Sequence, residues 1–324
     1  MSSSNPFLFV PGEDATIQEL TIVRDGETKI GQTIKSGSPS KDTKIILLGI
    51  EEAVGPQANL GNKGAENAFP SFFKRFLNMQ DNAYLSGKNI CYLGKITQQE
   101  LPDSIMKMRE AVEELDTLVK DTLQPYFHSD YLVLVIGGGH NNAFPLIHAA
   151  SASINQPIDV INLDPHADCR KNEGRHSGNS FSIAFSKGLM KKYNVLGIHK
   201  AYNSSYSLNQ LQEMKAFHTF FESYLLDPNK FKTDVLSVKE SVKKVNHGIE
   251  LDLDAIAFMP SSAFTPSGFS IEQARWYIRT LIQPTTRYIH LTEGAPCTSE
   301  EEKTVGKTLA YLASDILERI TCAL

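Results

Sequence analysis

The sequence predicts an α/β fold built on a mostly parallel sheet. Short runs of Ile, Leu and Val alternate along the 324 residues with segments whose apolar residues recur at spacings of three and four. This alternation is typical of βα units. The apolar runs are nearly continuous, as expected for strands that are covered on both faces. They predict strands over residues 44–50, 132–138, 158–164, 194–199, 247–254 and 287–293.

Helical patterns lie between these runs. The last helix is expected to begin at Thr298 or Ser299, because Glu301 and Glu302 follow at the spacing of a helix cap. No internal repeat or linker divides the chain, so we expect one domain over 1–324 with an N-terminal extension of about 40 residues. The predicted helices cover 65–79, 103–123, a stretch after His140, 207–226, 270–282 and 299–320.

Composition excludes several classes of protein. A hydrophobic share of 41% is ordinary for a folded soluble chain and excludes a disordered or fibrous one. The net charge is −5 and no dense basic block occurs, so no nucleic-acid partner is expected. The chain shows no signal peptide and no long apolar run, so we expect neither secretion nor membrane insertion. The four cysteines are far apart and form no CxxC pair, which indicates a reducing, cytoplasmic location.

Potential metal ligands concentrate where predicted strands end. Asp164, His166 and Asp168 follow one strand at every second position, which on an extended backbone places all three side chains on one side. Asp252 and Asp254 alternate with leucines in the same way. A further run ends in three glycines and His140. Because ligand sites of open α/β sheets lie beyond the carboxyl ends of the strands, we expect the three segments to meet there.

Four carboxylates and two imidazoles form an oxygen-rich set that suits two divalent cations, of which manganese is the best candidate. Such a cluster without a cation would repel itself and take up protons. Two cations also lower the pKa of water between them and generate hydroxide, so a hydrolase is predicted.

Each motif alone is usually an ordinary strand end or turn, but the three together favour a metal site. The remaining histidines fit better as surface or helix residues than as ligands, and Cys169 fits better as a packed side chain than as a reactive one. The histidines in question are His128, His148, His218 and His247.

These motifs resemble those of the ureohydrolases, the family of arginase, agmatinase and formimidoylglutamase. Residues 137–140 resemble the family's Gly-Gly-Gly-His motif. Residues 164–168 resemble Asp-Ala-His-x-Asp with Pro165 in place of alanine, and residues 250–254 resemble Ser-x-Asp-x-Asp with Glu250 in place of serine. The resemblance implies a three-layer αβα fold of the arginase type, two Mn²⁺ per chain and a homo-oligomer. It also implies a place for each ligand: Asp164 and Asp252 bridge the ions, His140 and Asp168 bind the first, and His166 and Asp254 bind the second.

Departures from the family pattern help to choose among its members. Ala257 and Phe258 stand where an Asp-Pro pair is common, and the loop after Asp168 lacks the features with which arginases hold an α-amino acid. Arg170 and the Ser-Gly-x-x-Phe run at 177–181 are closer to formimidoylglutamases. His176, in contrast, resembles the proton-shuttling histidine of arginases and agmatinases.

A planar cationic amidine needs a carboxylate that orients its nitrogens, and Glu293, after the last predicted strand, is the candidate. A glutamate tail needs a cation, and arginine suits a planar carboxylate better than lysine. The candidate residues for the tail are Arg170, Arg175, Lys171 and Asn179, with Asn59 and Asn62 as further pocket candidates.

The resulting hypothesis is hydrolysis of N-formimidoyl-L-glutamate to L-glutamate and formamide, a reaction of histidine degradation. Asp168 would position the attacking hydroxide and pass its proton to the leaving amine, while His176 would exchange protons with solvent. Three alternatives stay open. The chain could be an arginase, agmatinase or other guanidino-acid hydrolase that releases urea, a member without catalytic activity, or a single-zinc deacetylase.

Overall fold

The computed structural model describes residues 6–127 and 131–322, and within them the chain forms a ten-stranded sheet. The order across the sheet is β1-β4-β3-β5-β10-β9-β6-β7-β8, with β2 beside β4. Every pairing is parallel except that of β1 with β4. The strands are β1 Phe7–Pro11, β2 Lys35–Ser36, β3 Ile45–Glu51, β4 Ile90–Gln98, β5 Leu132–Gly137, β6 Ile158–Leu163, β7 Met190–Ile198, β8 Phe217–Phe220, β9 His247–Asp252 and β10 Thr286–Thr292.

Helices cover both faces of the sheet. Successive residues of β5 belong to two separate apolar cores, since Leu134 packs into one and Val135 into the other. Because side chains alternate along a strand, one core lies on each face. The structure therefore has three layers, and the predicted αβα fold class is confirmed. The helices are α1 Asp14–Leu20, α2 Val54–Ala58, α3 Ala68–Phe76, α4 Ile105–Leu123, α5 Ala143–Ile154, α6 Ser180–Ser186, α7 Ser205–Glu213, α8 Phe221–Leu226, α9 Pro228–Ser241, α10 Ile271–Leu281 and α11 Ser299–Cys322.

All six predicted strands are present, with boundaries shifted by a few residues. The predicted helix over 207–226 is wrong, because α7 ends at Glu213 and the chain continues as β8 and α8. Lys215 has a φ of 52°, which ends the helix, and Phe217–Phe220 then pair with β7. The apolar residues in this stretch fit the period of a helix or that of a strand, and the pairing with β7 decides in favour of a strand.

The sequence prediction also missed β1, β4 and α9. In β4, Gly94 and Lys95 interrupt the apolar run, so the strand pattern in the sequence is weak, and the structure has a shift in register against β3 at this point. The N-terminal residues that were expected to form an extension contribute β1 and β2, which both pair with β4. They therefore widen the sheet.

Two local predictions can be checked directly. Thr298 accepts a hydrogen bond from the Glu301 amide, and the Glu301 carboxylate accepts one from the Thr298 amide, so the predicted cap of α11 is confirmed at Thr298. His247 was expected at the surface or on a helix, and this is wrong, since it is buried on β9 against Thr286. His128 lies outside the described residues. Within residues 6–127 and 131–322, no helix has the length and hydropathy of a membrane span.

Candidate metal centre

The predicted metal ligands lie at the carboxyl ends of neighbouring strands. The strands β5, β10, β9 and β6 are consecutive in the sheet and run parallel. His140 follows β5, Glu293 follows β10, Asp252 ends β9, and residues 164–168 follow β6. Parallel strands bring these carboxyl ends to one edge, which is where α/β folds hold ligands.

The turn that carries His140 depends on Gly137 and on a buried glutamate. Gly137 has a φ of 96°, and a Cβ there would lie 2.5 Å from the Ile50 carbonyl oxygen, so only glycine fits. The Glu52 carboxylate accepts hydrogen bonds from the Gly139 amide and the Asn142 side chain, both at 2.8 Å. Glu52 therefore joins the end of β3 to the turn. Sequence reasoning missed it, although its place directly after a strand was a visible signal.

The ligands converge through turns, and the predicted extended backbone is wrong. β6 ends at Leu163, Asp168 has a φ of 46°, and the His166 amide donates to Asp164 Oδ1 at 2.6 Å. The Asp254 amide donates to Asp252 Oδ1 at 2.7 Å in the same manner. Each segment is thus folded by a carboxylate that accepts a hydrogen bond from the backbone two residues ahead, the Asx-turn arrangement.

Nδ1 of His140 is surrounded by carboxylate oxygens. Asp164 Oδ2, Asp168 Oδ2 and Asp252 Oδ2 each lie 3.1 Å from it. One ring nitrogen offers either one proton or one lone pair, so it cannot form three hydrogen bonds at once. Four donor groups that point at a common centre are instead the arrangement expected around a cation.

A second group of donors adjoins the first. The donor atoms of His166, Asp252 and Asp254 lie within 4.8 Å of one another, and Asp252 belongs to both groups. Asp164 also approaches both histidines, with Oδ1 at 3.4 Å from His166 Nδ1. All six predicted ligands therefore belong to one cluster of histidines and aspartates that could hold metal ions.

The electrostatics of the cluster fit a cation. Asp164, Asp252 and Asp254 are almost completely buried. Burial, followed by repulsion from Asp254 and Asp164, raises the pKa of Asp252 well above its usual range. A divalent cation would relieve this repulsion and let the carboxylates stay ionised, so the residues present fit a bound metal.

A cavity of about 270 Å³ opens directly onto the cluster. Asp168, Asp252 and Asp254 form its floor, and Glu293 lies beside them in the wall. Glu293 Oε1 accepts a hydrogen bond of 2.6 Å from the His140 amide, while Oε2 makes no hydrogen bond of normal geometry among the described residues. Burial, and then the charge of Asp254, raises the pKa of Glu293 to about 8, although the nearby Ser262 hydroxyl acts to lower the pKa of this carboxyl group. The carboxylate is available to a cationic group in the cavity.

The family model for the arginase family matches residues 54–321, which is most of the chain. The chain belongs to the arginase family. The resemblance to ureohydrolases that was inferred from the sequence is thereby confirmed.

Individual relatives agree with this assignment. Formimidoylglutamase from Macrococcus caseolyticus is 24% identical over 257 residues, which cover 78% of this chain and 78% of that protein. Mitochondrial arginase 1 from Arabidopsis thaliana is 28% identical over 144 residues, which cover 42% of this chain and 40% of that protein. A crystal structure of Trypanosoma cruzi formiminoglutamase with Mn²⁺ superimposes with a TM-score of 0.71 at 17% identity, covering 90% of this chain and 99% of that one, which shows a shared fold.

In this arginase-family chain some of the predicted substrate residues line the cavity or the one beside it, and others do not. Arg170 and Asn59 line the cavity, and Lys171 lines an adjoining cavity where its ammonium group lies over the Tyr206 ring. Asn62 donates to the Ser262 carbonyl oxygen at 3.0 Å.

Arg175 and Asn179 do not line this cavity. The Arg175 guanidinium donates to both Asp116 oxygens, at 2.6 and 3.1 Å, and to the Asn141 carbonyl oxygen at 2.8 Å. It also donates to Asn179 Oδ1 at 2.7 Å. Arg175 therefore ties α4 and the loop after Asp168 to the turn that carries His140.

His176 is buried and also lies outside the cavity wall. Its Nδ1 accepts a hydrogen bond from the Gly178 amide at 3.1 Å, and its Nε2 lies 3.7 Å from Glu173 Oε1. Burial, and then the charge of Arg109, lowers the pKa of His176 to about 3, so its imidazole is neutral near neutral pH.

Tyr202 and Asn203 line the cavity and were missed because they follow β7 without any motif. The Tyr202 ring stacks on the His166 ring with 5.6 Å between centroids. Asn203 accepts a hydrogen bond from the Ala167 amide at 2.8 Å and so holds the ligand loop. Only the folded structure shows that the segment after β7 lies against the segment after β6 and brings these two residues to the cavity.

Replacing Arg175 with alanine is expected to lower the free energy of unfolding by about 3–5 kcal/mol, because the buried Asp116 carboxylate would lose its partner. Urea unfolding followed by circular dichroism measures this change. Arg170→Ala is the matched control, since its side chain is half exposed, and it should cost less than about 0.5 kcal/mol. Equal stability of the two variants would contradict the role of Arg175 in tying α4 to the turn that carries His140.

Proposed function

We propose that the chain hydrolyses the amidine of N-formimidoyl-L-glutamate to L-glutamate and formamide at this site. The observation that carries the proposal is a cluster of six metal-type ligands, four of which line a cavity that is also lined by the buried carboxyl group of Glu293. The formimidoylglutamase relative supports the choice of substrate. The reaction adds one water, which breaks the bond between the amidine carbon and the glutamate nitrogen.

The metal part of the proposal is two Mn²⁺ ions. His140 and Asp168 would hold one ion and His166 and Asp254 the other, with Asp164 and Asp252 between them. Two donor groups that share Asp252 support a pair of ions over a single one, and the oxygen-rich donor set suits manganese. Bound ions would supply Lewis acidity that lowers the pKa of water enough to make it a nucleophile near neutral pH.

Glu293 and Asp168 are proposed to act on the substrate directly. Glu293 Oε2 would accept a hydrogen bond from an amidine N–H and turn the amidine carbon toward the floor of the cavity. Asp168, on that floor, would accept the proton of the attacking water and return it to the glutamate nitrogen as the C–N bond breaks. Proton exchange with solvent through His176 stays a prediction from the family resemblance, because its imidazole is neutral and Glu173, at 3.7 Å from Nε2, lies beyond hydrogen-bond distance.

Arg170 and Lys171 are proposed to bind the glutamate tail. Arg170 lines both the metal cavity and the adjoining cavity that Lys171 borders, so a substrate with its amidine at the metals could extend its carboxylates toward both cations. Arg175 and Asn179 would then act through the loop that carries these two residues.

We further infer a cytoplasmic protein that forms homo-oligomers. Cys91, Cys169 and Cys297 are free thiols, and two of them are buried, which supports a reducing compartment. The oligomer is the expectation that the family resemblance implies.

The proposed reaction predicts formamide as the product from N-formimidoyl-L-glutamate and no urea from arginine, agmatine or guanidino acids. The Mn²⁺-loaded full chain can be assayed with this panel for both products. Urea release from one of the guanidines with no formamide would identify a different ureohydrolase, and no product from any of them would indicate a member without activity.

Asp252→Ala is expected to lower formamide release at least about 100-fold, because it removes the ligand that both donor groups share. Asp159→Asn is the matched control, since Asp159 is also a buried carboxylate but lies near the amino end of β6. Turnover by Asp252→Ala equal to that of the control would contradict the proposed site.

Arg170→Ala is expected to raise KM for N-formimidoyl-L-glutamate about tenfold, the value of one charge-assisted hydrogen bond. KM for formamidine, which has no carboxylate tail, should stay unchanged. Arg24→Ala, an exposed arginine outside the cavity wall, serves as control. A rise in KM for both substrates would contradict a role in binding the tail.

A further inference from the structure

A row of buried polar side chains lies directly beneath the metal ligands. Asn162 on β6 and His290 on β10 are the register partners of Glu250 on β9, so the three stand side by side across three strands. All three are completely buried. Asn162 and Glu250 each precede a ligand, Asp164 or Asp252, by two residues and so lie on the same face of their strands. The row is therefore placed to support the ligands above it.

Glu250 has three polar neighbours. The Tyr288 hydroxyl donates to Oε1 at 2.8 Å, and His290 Nδ1 is hydrogen-bonded to Oε2 at 2.8 Å, while Nε2 of His290 lies 3.3 Å from the Gly137 carbonyl oxygen. The third neighbour is His140, whose Nε2 lies 3.5 Å from Oε2. Tyr288 and His290 thus each contact one oxygen of this buried carboxylate, and Oε2 is also the oxygen beside His140.

The two ring nitrogens of His140 face opposite surroundings. Nδ1 lies 3.1 Å from each of the three aspartate oxygens, whereas Nε2 is buried, makes no hydrogen bond of normal geometry among the described residues and has Glu250 Oε2 3.5 Å away. An imidazole that binds a cation through Nδ1 must carry its proton on Nε2. A carboxylate beside Nε2 stabilises that tautomer and orients the ring, as acceptors beside metal-bound histidines generally do.

We propose that Glu250 is a positioning residue that holds His140 with its proton on Nε2 and thereby strengthens metal binding. The inference rests on the proposed function for the presence of the metal ions. It assigns a role to a residue that touches neither substrate nor metal. Tyr288 and His290 serve this role by fixing the two oxygens of Glu250.

Glu250→Gln tests the proposal through metal affinity. The amide keeps the size of the side chain but removes the negative charge beside His140. Titration of Mn²⁺ into the chelator-stripped full chain, followed by calorimetry, should show about 10- to 100-fold weaker binding at one of two sites. Asp159→Asn, the same chemical change at the far end of β6, should bind Mn²⁺ as the wild type does.

A double variant separates positioning from a general structural effect. In a His140→Ala background Glu250→Gln should change Mn²⁺ affinity less than about twofold, because the residue through which it acts is absent. An equal loss in both backgrounds would overturn the proposal. So would wild-type affinity in Glu250→Gln.

Tyr288→Phe covers the case in which Glu250→Gln does not fold. It removes one hydrogen bond from Glu250 and should weaken Mn²⁺ binding about two- to tenfold, and wild-type affinity in this variant would again overturn the inference. A wild type that binds no Mn²⁺ contradicts the proposed function as well, whereas wild-type binding with unaffected variants contradicts the positioning role alone.

Discussion

Four aspartates lie at the ends of adjacent parallel strands, within a few ångströms of one another and largely shielded from water. The surrounding structure must hold these carboxylates in place and offset their mutual repulsion. Charges of one sign in such a place repel and are poorly solvated. The chain offsets part of the cost with two histidines and with backbone amides, among them the amide of Ala263 that donates to Asp254. The remaining negative charge makes the edge of the sheet a place for cations.

The surroundings of the cluster are organised to keep its side chains in place. Glu52 at the end of β3 holds the His140 turn, Arg175 joins that turn to α4, and Asn203 after β7 holds the loop after β6. Each of these contacts links a ligand segment to an element distant in sequence. The sheet thus sets where the ligands emerge, and buried hydrogen bonds set the directions in which they point.

The ligands themselves could be predicted from the sequence because residue type and position after an apolar run are local properties. The turns that bring them together could not, since the φ of Asp168 and the closure of Asp252 on the Asp254 amide depend on how the segments are packed. Arg175 was predicted to bind the substrate because only its charge is visible in the sequence. Its partner in the structure, Asp116, lies 59 positions away on α4 and could not be identified from local sequence. β8 was hidden because only the neighbouring β7 distinguishes a strand from a helix there.

Diffraction from crystals grown with Mn²⁺, recorded at the manganese absorption edge, tests the central claim most directly. Two anomalous peaks are expected at the carboxyl ends of β5, β6 and β9, one beside His140 and Asp168 and the other beside His166 and Asp254. A single peak, or peaks elsewhere with the six side chains joined only to one another, would contradict the two-ion centre.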